Sequence, residues 1–120
     1  MKKHNRLKKN HEFSYIFAHG NSVANRQFVL YTLKKEEQVH YRAGLTVSKR
    51  MGNAVMRNRI KRYLREAVSE LEPRIPGGYD LVVIARKPVA DMDYHETKKS
   101  LTHVFKKAGL LNSGKTKPKG

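Results

Sequence analysis

The sequence predicts an α+β fold: a single-domain α/β sandwich in which helices cover one mixed sheet, with the element order α-β-β-β-α-β-α. Three observations carry this expectation. Residues 54–71 place apolar side chains at helical spacing. Residues 27–33, 41–48 and 80–86 read as strands. The chain has 120 residues, enough for one modest core and too few for two domains.

Residues 1–9 are polar and basic, with Lys2, Lys3, Arg6, Lys8 and Lys9, and read as a flexible arm. Asn10 stands where an N-cap belongs, and residues 11–19 form a short helix closed by Gly20. Phe13, Ile16 and Phe17 fall at i, i+3 and i+4 on one apolar face. The two Phe rings are either core or a stacking platform for single-stranded bases. Spacing alone favours core. Residues 21–25 are a turn-rich link with room for a very short strand.

Residues 27–33 turn Phe28 and Leu30 one way and Val29, Tyr31 and Leu33 the other, so both faces are covered. Tyr31 fits a core and a nucleotide contact equally well. Residues 34–38 read as a charged hairpin loop. Residues 41–48 alternate: Ala43, Leu45 and Val47 form one face, and Arg42, Gly44, Thr46 and Ser48 a small, polar one. That second face suits something wetter than a core.

Gly52 and Asn53 end this strand, Asn53 offers an N-cap, and a helix runs to Leu71. Projected at about 100° per residue, Met56, Ile60, Tyr63, Leu64, Ala67, Val68 and Leu71 gather on one side. Arg57, Asn58, Lys61, Arg62 and Arg65 gather on another, and Arg59 stands apart near the far edge. The acids Glu66, Glu70 and Glu72 come only after this stripe. Cations therefore crowd the turns where the helix dipole disfavours them by about 0.3–1 kcal/mol each. A solvated face usually mixes signs, with Glu preceding Lys at helical spacing. The pattern points instead to a surface for a polyanion.

Pro73, Pro76 and the Gly77-Gly78 pair stop the helix. Residues 80–86 contain the run Leu81-Val82-Val83-Ile84-Ala85, which suits a strand buried on both faces with a parallel neighbour. Asp93 and Glu96 make a capping box for a last helix. It turns Leu101, Val104, Phe105 and Ala108 inward and Lys98, Lys99, Lys106 and Lys107 outward. Residues 1–111 thus form the domain, and 112–120 read as a disordered basic tail.

Lys and Arg number 26 against 10 Asp and Glu, a net charge of +16. Nucleic acid is the leading partner, since phosphates reward Lys and Arg by counterion release. No long apolar run, secretory signal or lipidation motif speaks for a membrane. There are no cysteines, so disulfides and thiolate metal sites are excluded, which suits a cytoplasmic protein. Six scattered His residues make no metal-ligand pattern, and no nucleophile or paired-carboxylate motif is present. No bond-breaking by the protein itself is expected.

The stretch from Val47 to Arg62, centred on Arg57-Asn58-Arg59, resembles the signature of the bacterial ribonuclease P protein family. So do Arg6-Leu7-Lys8-Lys9 with Glu12-Phe13, Gly20, Arg42-Ala43-Gly44-Leu45 leading into Val47-Ser48-Lys49, and Ala85-Arg86-Lys87-Pro88. Arg50 stands where the family often has lysine and keeps the charge. The resemblance implies a non-catalytic subunit of an endoribonuclease. Its partners would be ribonuclease P RNA and precursor tRNA, whose 5′ leader is removed. No cofactor would bind the protein alone, while Mg²⁺ would serve the RNA in the holoenzyme. It implies RNA-subunit contact by Arg57, Asn58, Arg59, Lys61, Arg62 and Arg65. It also implies a leader groove between the basic helix and the sheet, lined by Phe13, Phe17, Tyr31, Lys49 and Asn53. Phe13 and Phe17 then become exposed stacking residues. The implied fold has a left-handed β-α-β crossover, against a right-handed preference of about 98%; the residues alone give no sign of that exception.

Two other readings share the charge. One is a ribosomal or general RNA-binding protein with no role in cleavage. The other is a helix reading duplex DNA through Arg57 and Arg59.

Overall fold

Asn53 caps the basic helix, its Oδ1 accepting the Met56 N–H at 2.9 Å. In the computed structural model, which describes residues 1–111, this helix is α2 (Ala54–Leu71). The other elements are α1 (Asn10–His19), β1 (Asn21–Ala24), β2 (Phe28–Lys34), β3 (Arg42–Thr46), β4 (Tyr79–Ala85) and α3 (Tyr94–Lys107). Short 3₁₀ turns lie at Lys3–Asn5, Lys49–Met51, Glu72–Arg74 and Lys87–Asp91. The order is the one the sequence predicts. The basic tail of residues 112–120 lies outside the described residues.

The sheet order is β1-β2-β4-β3, with β3 parallel to β4 and the other pairs antiparallel. This corrects the hairpin expected at residues 34–38. β4 enters between β2 and β3, so the two strands joined by that loop are not neighbours. The continuous apolar run of β4 fits this central position: Leu81, Val82 and Val83 are fully buried.

Alternation along each strand divides the interior in two. Phe28, Leu30, Leu81 and Val83 face the layer formed by α2 and α3, with Ile60, Leu64, Val68, Leu101 and Phe105. On the opposite face Val82 packs with Ile16 of α1 and Leu7, flanked by Phe13, Tyr31, Leu33 and Ile84. The second cluster is small because α1 buries only one side chain completely, Ile16.

Three local expectations change. Asn10 is the first residue of α1, not its cap; the turn is closed by Glu12, whose Oε1 accepts the Lys9 N–H. Gly20 is extended, with φ −82°, and not left-handed. Its missing side chain matters for space, since a Cβ there would lie 2.8 Å from the Thr32 carbonyl oxygen. The basic arm lies along β3: the Leu7 N–H donates to Ala43 O, and buried Asn5 donates to Tyr41 O. The arm thereby covers part of that sheet edge.

Candidate nucleic-acid interface

Register places Ser22, Tyr31, Val82 and Gly44 side by side on the α1 face of the sheet. α1 lies over this row. The Phe13 ring rests on Gly44 so closely that a Cβ there would be 2.4 Å from it. One turn later Phe17 meets Tyr31 edge to face, with ring centroids 4.9 Å apart. Phe17 remains 43% exposed. Phe13 and Tyr31 are half-buried. Phe13 is therefore both core and surface, and Phe17 is the exposed ring.

The next row is Ala24, Val29, Ile84 and Thr46, and all four are only half-buried. Beside the aromatic rings this row makes an apolar floor, open to solvent, at the end of the sheet. Lys49 follows Thr46 by three residues and is exposed. Asn53 is exposed as well, but its side-chain oxygen is committed to capping α2. Sequence reading missed Val29 and Ile84 as surface residues. Ile84 sits in a run that looks buried throughout, and it is left half-buried because α1 lies over the neighbouring row.

This location corrects the expected groove. α2 packs through Ile60, Leu64, Ala67 and Val68 on the other sheet face. The aromatic surface instead lies between α1 and the sheet. The two faces meet around the β3 edge, in a cleft of about 150 Å³ lined by Arg6, Phe13, Leu45, Lys61 and Arg65 among others.

The cationic stripe of α2 accordingly splits. Lys61 and Arg65 line that cleft, half-buried. Asn58 and Arg62 are exposed. Arg57 bends back, its Nε donating to Gly52 O at 3.3 Å. Arg59 turns away altogether: Nη2 donates to Ala90 O at 3.0 Å and contacts Met56 Sδ, while Nε is buried without a partner. It ties α2 to the 3₁₀ turn Lys87–Asp91, which explains its isolated place in the helical projection. Arg59 and Arg62 both flank the Tyr63 ring, at 5.9 and 5.8 Å. Neither side of the α2 stripe is neutralised by its own chain: the salt bridges among the described residues involve Lys35, Arg42 and Lys98 instead.

The densest charge cluster is elsewhere. Arg42 grips Asp80 with two hydrogen bonds, Nε–Oδ1 at 2.9 Å and Nη2–Oδ2 at 2.8 Å, and gives Nη1 to Glu12 Oε2 at 2.8 Å. Gln38 Nε2 adds a bond to Asp80 Oδ1. Burial works against the Asp80 charge, but Arg42 and Gln38 outweigh it and hold the carboxyl below its ordinary range. Glu12 is lowered likewise: burial opposes, and the Lys9 N–H and Arg42 prevail.

Comparison with known proteins bears on the family and the fold. A family model described as Ribonuclease P matches residues 1–109. The ribonuclease P protein component of Bacillus mycoides is 60% identical over 110 residues, covering 92% of this chain and 96% of the relative. The solved RNase P protein of Staphylococcus aureus is 47% identical, covers 90% of this chain and 98% of its own, and superposes with a TM-score of 0.85. That of Thermotoga maritima is 32% identical, with 85% and 96% covered and a TM-score of 0.77.

Proposed function

The chain belongs to the ribonuclease P protein family, and from that premise we propose how its two surfaces divide the work. As a family member it serves removal of the 5′ leader of precursor tRNA, as the non-catalytic protein of a ribonucleoprotein endonuclease. The α2 stripe docks on the ribonuclease P RNA. Arg57, Asn58, Lys61, Arg62 and Arg65 carry this contact, and Arg59 supports it from inside. The aromatic wall and apolar floor take the unpaired leader. Phe17 and Tyr31 stack on bases, Phe13 closes one side, and Lys49 and Asn53 meet the strand where it leaves the sheet.

The observation that carries this reading is the exposed Phe17 beside an uncovered sheet row, joined around one edge to an unneutralised cationic helix. A single strand needs aromatic faces and flanking cations, and a folded RNA needs a dense cationic surface. Among the described residues no three His, Asp or Glu side chains are grouped to hold a metal ion. We assign the Mg²⁺ of the holoenzyme to the RNA. No described helix is long and apolar enough to cross a membrane. Precursor tRNA places the assembly in the cytoplasm on this reading. A general RNA-binding role without cleavage shares the charge but is not favoured by the family match.

The test mixes the protein with a bacterial ribonuclease P RNA at low Mg²⁺ and follows cleavage of precursor tRNA. Cleavage faster than by RNA alone is expected. Equal rates refute the reading.

A further inference from the structure

α1 carries the aromatic wall, yet little apolar surface fixes its pose. Ile16 is its one fully buried side chain. Besides Ile16, its apolar contacts are the half-buried Phe13 on Gly44 and the exposed Phe17 against Tyr31, and a roll of the helix would move both rings relative to the floor. What stops it is charged. Arg42 sits on β3 and Asp80 on β4, in register with each other on the α1 face. Asp80 is 1% exposed and Arg42 holds it with a planar, two-point grip. The remaining guanidinium nitrogen reaches up to Glu12 at 2.8 Å. Glu12 spends its other oxygen on the Lys9 N–H, at the first turn of α1. Its neighbour is Phe13, whose ring lies on Gly44, two residues along from Arg42.

An ion network anchored on a buried carboxylate is a poor choice for stability alone, since apolar replacements of like volume are often as stable or more so. Its distinctive property is direction: three charged groups with fixed geometry admit one orientation of α1. We propose that the Glu12–Arg42–Asp80 clasp sets the pose of α1 for leader recognition, which makes Glu12 and Asp80 positioning residues for a strand they do not touch. This rests on the leader-groove reading above.

Glu12→Gln tests it, because the change keeps shape and removes only the charge from a partly exposed side chain. Holoenzymes reconstituted with wild-type or variant protein are compared for affinity to precursor tRNA, to mature tRNA and, separately, to the RNA subunit. Wild type should prefer precursor over mature tRNA. E12Q should lose about three- to tenfold of that preference, part of what one stacked base supplies. RNA-subunit affinity should not change. Glu12→Asp, which keeps the charge, should restore part of the preference. Glu36→Gln removes an equal charge from an exposed loop position and should leave the preference intact. If wild type shows no preference, the leader-groove reading fails first. If wild type shows it and E12Q keeps it, or E36Q loses it equally, the clasp proposal is overturned. Should E12Q lower affinity for mature tRNA and the RNA subunit as well, the clasp is only structural and the proposal falls. Fluorine spectra of fluorophenylalanine-labelled protein give an independent reading. The Phe13 and Phe17 signals should move in E12Q and stay put in E36Q.

Discussion

Replacing Arg62 by Ala should weaken RNA-subunit binding and make it less sensitive to salt, whereas Arg59→Ala should weaken it without that second effect. Arg62 is exposed, and its guanidinium lies over the face of Tyr63. Each phosphate the protein ceases to neutralise lowers the slope of log affinity against log salt by about 0.7–0.9. Between 50 and 200 mM salt, wild type should therefore lose about threefold more affinity than R62A, the fourfold salt change raised to that power. Arg59 is different because its guanidinium is spent on Ala90 O. A hydrogen bond from a charged donor contributes about 1.5–3 kcal/mol. Partial exposure and release of the unpartnered Nε reduce this to about 1 kcal/mol. In a domain of this size that is a fall in Tm of about 4 °C. The assay is filter binding or fluorescence anisotropy with labelled ribonuclease P RNA over a salt series, with thermal melts of both variants alongside. A slope in R59A reduced as far as in R62A would show Arg59 on a phosphate and refute the division of the stripe. An unchanged slope in R62A would leave that side chain facing water.

Other outcomes follow from the same surfaces. Phe17→Ala should cost precursor tRNA about 1–3 kcal/mol of affinity if one base stacks there, and mature tRNA little; equal losses in parallel titrations would count against the aromatic wall. Gly44→Ala puts a methyl group 2.4 Å from the Phe13 ring, so the ring must leave its seat. The variant should bind precursor more weakly at unchanged RNA-subunit affinity, and an unaltered precursor titration would mean Phe13 does not contribute. Asp80 has a folded pKa below its ordinary 3.8, so its ion pair favours the folded state above that pH and loses its effect as pH falls through the lowered value. The stability gap between wild type and Asp80→Asn, read from urea melts, should be constant near neutrality and shrink as pH falls below about 3.8; a gap that does not shrink on acidification would disprove the role of the charge.

The basic helix is legible in the sequence because each signal is local. Asn53 caps by its own short side chain, and Ile60, Leu64 and Val68 return at helical spacing. The capping box at Asp93 and Glu96 is legible for the same reason. The strand order is not, because residues 34–38 link two strands whose apolar patterns suit a hairpin as well as a separation. Only the unbroken apolar run at 81–85 hints at a central parallel strand, and it does not name its neighbours. The groove's true place is hidden for a related reason. Periodicity shows that Phe13 and Phe17 share a face of α1, but that face's partners on the sheet, Gly44 under Phe13 and Val82 beside Ile16, with Arg42 against Glu12, are far away in sequence. Arg59 is half legible: projection sets it apart from the stripe, but its bond to Ala90 spans 31 residues.

The late arrival of β4 has a consequence for synthesis. Until residue 85 has left the ribosome, the slot between the second and third strands is empty. A nascent chain then holds a β1–β2 ribbon, a two-stranded piece that is marginal in water, and a cationic helix with nothing to lie on. Completing the sheet depends on distant pairings, the slow kind. A chain cut before Tyr79 therefore lacks the middle of its own sheet, and no shorter fragment ending there makes a usable subunit.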